Sequence, residues 1–235
     1  VIRLSDTAHR IMDNRIVLAG YENYVYPKFL TSYAKEPYDH ARVYRELRAI
    51  EPRRERRLPS VVVDLCCGTG WFARKIARDG TCTGGRIIGV DFSVNAIDVA
   101  CNRHRDHSSG IPDADVTFYV ADVLQPETRT LLSAAPADEV WIIGSLHQVS
   151  DKGRLTALVD EILAPDGRVL IQTYRDVPGA NAAADIAAMK RFGHSVFAES
   201  ELAELAGRYG LVVVGERQIG LLYLCVLERD GSHGN

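Results

Sequence analysis

The chain has 235 residues, of which 46% are apolar and 25% are charged, with a formal net charge of -3. This length can bury one full hydrophobic core without a second domain, and the slightly acidic balance argues against a protein that grips nucleic-acid phosphates. No stretch reaches the roughly 18 apolar residues of a membrane span, and charges occur where a signal peptide needs an apolar core, so we expect a soluble, cytoplasmic protein without a membrane partner.

Residues 1–58 are predicted to form a helical, tyrosine-rich lid. Six of the ten tyrosines lie between Tyr21 and Tyr44, a density that is typical of a core or an interface. The segment could therefore serve as a dimer surface, and either a monomer or a homodimer is expected. The run RRERR, from Arg53 to Arg57, is interpreted as a solvated helix end or loop, with an anion-binding patch as the alternative.

Short apolar runs alternate with helical patterns in the next part of the chain. Strands are predicted at 61–65, 86–91, 116–122 and 139–144, and helices end near residues 78 and 103, lie near Thr128 and cover 152–163. Nearly continuous apolar runs are typical of parallel strands that are covered on both faces. The pattern predicts an α/β fold with a doubly wound sheet and helices on both faces.

The last third of the chain changes this pattern. A strand at 168–174 and a helix at 199–210 are followed by two strands, 211–216 and 220–228, whose connection is too short for a crossover helix. Such strands must be antiparallel. We therefore predict a Rossmann-like seven-stranded core over 59–229 that ends in an antiparallel hairpin, with a substrate-cover insertion at 175–198 and a disordered tail at 230–235.

Several motifs follow the predicted strands in a fixed order. They are DLCCGTG (64–70), GVDFS (89–93), VADV (120–123) and GSLH (144–147), and the hairpin comes last. In this order they resemble the class I S-adenosylmethionine-dependent methyltransferases, especially the small-molecule branch that includes quinone-biosynthesis enzymes. The resemblance covers about Ser32 to Glu228. A dinucleotide fingerprint would need a third glycine where Ala73 stands.

The resemblance implies S-adenosylmethionine as cofactor and S-adenosylhomocysteine as product. Asp64 is expected to hold the loop or the ammonium group of the cofactor. Gly68 and Gly70 lack a Cβ, so the methionyl part can lie against the backbone. Cys66 stands where the family most often has glycine, and its small side chain is expected to be compatible with the same loop.

The resemblance places the nucleoside part of the cofactor at the next two strand ends. Asp91 is expected to accept hydrogen bonds from the ribose hydroxyls, with a helix N-terminal acid as the alternative. Phe92 offers an apolar face to the adenine. Asp122 and the backbone amide of Val123 are expected to bind the adenine edge, although Asp122 alone would be an ordinary helix cap. Gly144, after the fourth strand, is assigned to the same site.

The segment AKEPYD (34–39) resembles the A-x-x-x-Y-D segment that folds over the cofactor in this family. Tyr33 or Tyr38 is therefore expected to touch the methionyl end or the substrate.

His147 is the candidate catalytic residue. It follows the fourth strand at the edge where ligands bind, and imidazole titrates near neutral pH, so it could accept a proton from the acceptor. The alternative is a loop histidine that shapes the pocket. Tyr174, Phe192 and His194 are candidate substrate contacts, or equally packing and surface residues.

These observations predict transfer of a methyl group to oxygen, nitrogen or carbon of a small organic acceptor, with oxygen favoured because of His147. The alternatives are a protein of this fold that binds S-adenosylmethionine without methylating, as a cyclase or structural subunit, and a nicotinamide oxidoreductase. An Asn-Pro-Pro-Tyr motif is absent after the fourth strand, so nucleic acid is not expected as substrate. No metal is predicted, and five cysteines without CxxC spacing predict buried thiols.

Overall fold

The computed structural model describes residues 13–50, 57–82, 84–107, 114–176, 182–191 and 194–231. Seven strands in this part of the chain form one sheet. They are β1 (Val61–Leu65), β2 (Arg86–Asp91), β3 (Asp115–Val120), β4 (Ala137–Ile143), β5 (Leu163–Tyr174), β6 (Leu211–Ile219) and β7 (Leu222–Arg229).

The strand order in the sheet is β3-β2-β1-β4-β5-β7-β6. Strands β1 to β5 are parallel to one another, whereas β7 is antiparallel to both β5 and β6. The predicted doubly wound sheet and its closing antiparallel hairpin are confirmed. The hairpin turn requires glycine, because Gly220 has φ +55° and a Cβ there would lie 2.2 Å from the carbonyl oxygen of Tyr33.

Helices cover both faces of this sheet. A π-helical turn over Tyr21–Val25 joins the first two helices, and a 3-10 turn spans Leu146–Gln148. The α-helices in the described residues are α1 (Arg15–Gly20), α2 (Tyr26–Ala34), α3 (His40–Arg48), α4 (Trp71–Arg78), α5 (Val94–His107), α6 (Pro126–Leu132), α7 (Lys152–Ile162), α8 (Ala183–Arg191) and α9 (Glu201–Gly207).

The hydrophobic core lies in two layers, one on each face of the sheet. Successive residues of β4 alternate between them: Trp141 belongs to the layer with α2, α3 and α4, and Val140 and Ile142 to the layer with α6, α7 and α9. This alternation follows from the two-residue period of a strand. Leu30 and Leu47 are fully buried in the first layer, so the N-terminal helices are part of the same core.

A buried ion-pair network fastens α3 to the sheet. Glu139 on β4 is 3% exposed and accepts hydrogen bonds from Arg48 Nη1 at 2.6 Å, Arg168 Nη2 at 2.7 Å and Trp141 Nε1 at 3.0 Å. Burial alone would raise the pKa of Glu139, but the two guanidinium groups lower it below its ordinary value. The carboxylate therefore stays charged and holds the two arginines.

Two sequence predictions concern segments that are only partly described. Asp230 donates its backbone N–H to the carbonyl of Gly210 at 2.8 Å, so the hydrogen-bonded chain continues into the segment predicted to be a disordered tail. Residues 232–235 lie outside the described residues, as do 53–56 of the RRERR run.

Candidate active site

A cleft lies at the carboxyl edge of the parallel strands, beneath the N-terminal helices. Ligands bind at this edge in doubly wound sheets, because the loops after neighbouring strands converge there. The loops after β1, β2, β3 and β4 all contribute to it. Among the predicted cofactor residues, the lining includes Cys66, Gly68, Asp91, Phe92, Asp122, Val123 and Gly144.

Two glycines in the loop after β1 have different surroundings. Gly68 (φ +53°) lines the cleft, and a Cβ on it would meet no atom within 4 Å, so the space beside its backbone is open. Gly70 (φ +74°) does not line the cleft, and a Cβ there would lie 2.6 Å from the ring of Phe118. The structure therefore gives Gly70 a packing role, and its cofactor contact stays a prediction.

Cys66 adopts the left-handed conformation that usually favours glycine, with φ +57°. Its side chain lines the cleft. Burial raises the pKa of the Cys66 thiol, and the nearby Asp91 raises it further. The thiol is therefore protonated near neutral pH and is not a ready nucleophile.

Asp91 joins the end of β2 to the glycine loop. It is 7% exposed, and its two carboxylate oxygens accept hydrogen bonds at 2.9 Å from the backbone N–H groups of Gly68 and Ser93. Burial raises its pKa. Each carboxylate oxygen has two acceptor positions, so the side chain can hold the loop and still accept from a ligand hydroxyl.

The end of β3 forms the next part of the floor. Asp122 accepts a hydrogen bond from the backbone N–H of Leu124 at 2.9 Å, which closes an Asx turn. Val123 within this turn is buried against the cleft. Phe92, on the neighbouring loop, is 37% exposed, so an apolar face and a polar turn border the same space.

The structure does not bring Asp64 to the cleft lining. Its side chain is 2% exposed, and its Oδ2 atom has no hydrogen-bond partner. Burial raises the pKa of Asp64 to about 7, although the Ala73 amide and the charge of Arg74 act in the opposite direction. A buried acid on β1 that accepts from the first turn of α4 can hold the glycine loop, which was one of its two predicted roles. It does not line the cleft.

Tyr33 and Tyr38 also lie away from the cleft lining. The Tyr38 hydroxyl donates to Glu46 at 2.7 Å. The ring of Tyr33 packs edge-on against Phe29 and Tyr174, with centroid distances of 4.7 Å and 5.5 Å. Other residues of the N-terminal segment, Tyr21, Tyr26 and His40, line the cleft. The side chains of Tyr33 and Tyr38 instead contact other side chains of the protein.

Four other ring-bearing side chains line the cleft, and we call them the aromatic wall. It consists of Tyr21, Tyr26, His40 and Trp71, with successive ring centroids 5.6 Å, 4.4 Å and 5.0 Å apart. Burial lowers the pKa of His40 to about 4, so its imidazole is neutral at physiological pH. The density of tyrosines was the sequence signal for this wall, but no spacing indicated which rings would face the cleft.

Gly144 lets this wall approach the sheet. A Cβ on Gly144 (φ +67°) would lie 2.7 Å from the hydroxyl oxygen of Tyr26. That hydroxyl donates to Gln172 on β5 at 2.7 Å. Glycine is therefore required at the end of β4 for the close contact between Tyr26 and the sheet.

The predicted catalytic residue and two predicted substrate residues meet in one cluster. The ring of His147 lies 4.6 Å from Tyr174 and 5.0 Å from His194, and Phe29 packs against the latter two. His147 does not line the cleft, although Ser145 does. Phe192 lies outside the described residues.

This cluster is buried and has unsatisfied polar atoms. His147 is 2% exposed and Tyr174 is fully buried, and neither the Nδ1 atoms of His147 and His194 nor the Tyr174 hydroxyl has a hydrogen-bond partner. Burial lowers the pKa of His147 well below its ordinary value, and the neighbouring His194 and Lys152 lower it further. The His147 imidazole is therefore neutral at physiological pH.

The described residues contain neither a cluster of metal ligands nor a helix that could span a membrane. They contain no group of three or more His, Cys, Asp or Glu side chains arranged to hold a metal ion. None of their helices has the length and apolar character needed to cross a bilayer.

Comparisons with solved structures place this fold among methyltransferases. An O-methyltransferase from neocarzinostatin biosynthesis, solved with S-adenosyl-L-homocysteine and 1,4-dihydroxy-2-naphthoic acid, aligns with a TM-score of 0.63 and 18% identity over 94% of this chain and 60% of its own. Magnesium protoporphyrin IX methyltransferase from Synechocystis PCC 6803, with bound S-adenosylhomocysteine, gives 0.54 and 14% over 92% and 97%.

The sequence comparisons agree with this placement. The 2-phytyl-1,4-naphtoquinone methyltransferase of Nostoc sp. (strain PCC 7120) is 30% identical over 113 residues, which are 48% of this chain and 45% of that protein. The chain thus spans about half the length of the curated relatives it matches. The family model described as "Methyltransferase domain" matches residues 36–216, and the chain belongs to this methyltransferase domain family.

Proposed function

We propose that the chain binds S-adenosylmethionine in the cleft and transfers its methyl group to a small organic acceptor. The observation that carries this proposal is the convergence of three features at successive strand ends: the open space beside Gly68, the buried carboxylate of Asp91, and the turn at Asp122. Together they match an amino-acid tail, a ribose and a base in chain order.

The residues of the cleft fit this cofactor. Asp91 accepts from the backbone N–H groups of Gly68, Ser93 and Phe92 and retains about one acceptor position for a ligand hydroxyl. The aromatic wall together with Phe92 provides apolar faces. The cofactor supplies, when bound, a methyl group that is already activated toward attack. The chain then needs to orient the acceptor, exclude water and, where the acceptor is a hydroxyl, hold or accept its proton.

For the acceptor we infer a hydroxyl on an aromatic ring. The neocarzinostatin O-methyltransferase was solved with 1,4-dihydroxy-2-naphthoic acid, which carries hydroxyls on an aromatic ring. The Nostoc relative is a naphthoquinone methyltransferase, and a naphthoquinone shares this two-ring system but has carbonyls in place of the hydroxyls. The aromatic wall supports this class, because its ring faces line the cleft. His147 is the candidate base: it lies two residues beyond Ser145 of the cleft lining, its Nδ1 atom has no partner, and it can accept the phenolic proton once the buried cluster of His147, Tyr174 and His194 opens toward the cleft.

The cofactor is tested by calorimetric titration of the purified chain with S-adenosylhomocysteine. We expect micromolar binding, about -8 kcal/mol, that is lost in Asp91→Ala and retained in Asp98→Ala, which removes an exposed carboxylate from α5. NAD serves as the control ligand. Binding of NAD in place of S-adenosylhomocysteine would contradict the proposal.

The acceptor is tested with S-adenosylmethionine and 1,4-dihydroxy-2-naphthoic acid. Formation of S-adenosylhomocysteine should fall roughly 100-fold in His147→Ala and remain in His104→Ala. An unchanged rate and pH profile in His147→Ala would exclude the base. Tight cofactor binding without transfer to any of a panel of phenols, amines and carbon acids would favour a binding protein over a methyltransferase.

We also infer a cytoplasmic monomer or homodimer with neither nucleic acid nor membrane as partner. The free cysteines support a reducing compartment, and the net charge of -3 does not favour phosphate backbones. Light scattering of the purified chain measures the oligomeric state, and cell fractionation measures the location.

A further inference from the structure

Glu22 is a buried carboxylate in the π-helical turn above the cleft, and the predicted site did not include it. Its side chain is 11% exposed. Oε1 accepts from Thr69 Oγ1 at 2.6 Å and from Arg74 Nη2 at 2.7 Å, and lies 2.7 Å from Arg103 Nη1. One oxygen atom therefore joins the N-terminal segment to the glycine loop, to α4 and to α5.

The partners of Glu22 reinforce these connections. Arg74, whose side chain is 6% exposed, also donates to the carbonyl oxygen of Thr69. Arg103 donates to the carbonyl of Ala19 at 2.8 Å, at the end of α1. The two arginines thus bind the loop and the N-terminal segment independently, and Glu22 forms an ion pair with both of them.

The segment held in this way is part of the cleft itself. We call residues 14–34 the strap; its residues Leu18, Tyr21 and Tyr26 line the cleft. Thr69, on the other side of the Glu22 contact, lines it too. Strap and loop therefore border the same ligand space, and Glu22 joins them, so that breaking this contact would widen the cleft.

The charge of Glu22 persists at physiological pH. Burial alone would raise its pKa, but Arg74, Arg103 and the Thr69 hydrogen bond lower it below the ordinary value. A carboxylate with a lowered pKa in the folded chain contributes stability above its unfolded pKa, and that contribution is lost only as the pH falls through the folded value. The contact is therefore fully formed at neutral pH.

We propose that Glu22 is a positioning residue that latches the strap to the glycine loop and thereby controls the release of the cofactor product. This inference rests on the proposed function, because the ligand that it retains is S-adenosylhomocysteine. The side chain acts through Thr69 and the two arginines and does not need to touch the ligand. A π-turn at this position agrees with the frequent occurrence of such turns at functional sites.

The test compares Glu22→Gln with Glu36→Gln, which removes an exposed carboxylate just after the strap. Stopped-flow measurement should show that dissociation of S-adenosylhomocysteine from Glu22→Gln is at least tenfold faster, while Glu36→Gln matches the wild type. Thr69→Val removes the hydroxyl contact to Glu22 but keeps both ion pairs, and it should accelerate release by a smaller factor. A purely structural role would lower the melting temperature without this graded effect on release.

Trypsin cleavage in the strap, at the exposed Lys28, provides a readout that needs no cofactor. In the free protein, cleavage of Glu22→Gln should be at least tenfold faster than cleavage of the wild type. Unchanged release and unchanged cleavage in Glu22→Gln would overturn the latch while leaving the proposed function intact. Failure of the wild type to bind S-adenosylhomocysteine would instead overturn the proposed function, and control of its release with it.

Discussion

Replacement of Asp64 by Asn should remove a pH-dependent destabilisation that arises from the burial of this acid on β1. The side chain is 2% exposed, and one carboxylate oxygen has no hydrogen-bond partner. Burial penalises the ionised form and raises its pKa from 3.8 to about 7. Asn has the same shape and carries no charge, so the variant isolates the effect of ionisation.

The sign and size of the effect follow from proton linkage. The folded chain binds this proton more tightly than the unfolded chain, so its contribution is fully favourable below about pH 4 and is lost as the pH rises through about 7. A rise of the pKa from 3.8 to about 7, at 1.36 kcal/mol per pH unit, corresponds to about 4 kcal/mol as an upper limit.

Urea unfolding at pH 5, 7 and 8.5 in the absence of cofactor measures the effect. The free energy of unfolding of Asp64→Asn, relative to the wild type, should increase from pH 5 to 8.5 by about 2 to 4 kcal/mol. Asp79→Asn, which removes a carboxylate paired with Lys75 at the other end of α4, reports the general effect of losing one charge. A difference for Asp64→Asn that stays constant with pH would refute the assignment of a buried, largely protonated acid.

Four further substitutions test the packing of the fold and of the site. Glu139→Gln should destabilise the fold by about 3 to 5 kcal/mol in urea unfolding, because it leaves two partly buried arginines without their carboxylate; a loss below about 1 kcal/mol would contradict this. Gly70→Ala should lower stability by about 2 to 4 kcal/mol, because left-handed strain adds to the overlap of the methyl group with Phe118, whereas Gly68→Ala, which adds the strain alone, should cost about 1 to 2 kcal/mol and also weaken S-adenosylhomocysteine binding in calorimetry; equal losses of stability in the two variants would refute the packing role of Gly70. Cys66→Gly should leave stability unchanged or raise it by about 1 kcal/mol in thermal unfolding, since it relieves a left-handed non-glycine residue; a loss above about 1 kcal/mol would show that the thiol packing matters more.

The sequence allowed the sheet and the floor of the cleft to be predicted. Apolar runs with intervening helical patterns require parallel strands, and a connection too short for a helix forces the final hairpin to be antiparallel. Residues that directly follow such strands converge at one edge. For this reason Gly68, Asp91 and Asp122 could be expected at one edge of the sheet, and the resemblance to S-adenosylmethionine-dependent methyltransferases assigned them to one cofactor site.

The side of the cleft that the N-terminal helices form, in contrast, was decided by tertiary packing. The sequence indicated a tyrosine-rich cover but favoured Tyr33 and Tyr38, whereas Tyr21 and Tyr26 face the cleft. Which ring of a helix faces a site depends on the rotation of that helix against its neighbours. Here the contact of Glu22 with the glycine loop constrains this rotation.

The same limit applies to the acids and histidines of the site. Spacing placed Asp64 and His147 at the right strand ends, but it could not show that both side chains would be buried away from the cleft lining. Burial and the resulting pKa depend on every element that surrounds a side chain. The local sequence therefore determined which strand ends build the site, while the rotation of the covering helices and the exclusion of water were decided only by the assembled fold, because they arise from contacts between residues far apart in the chain.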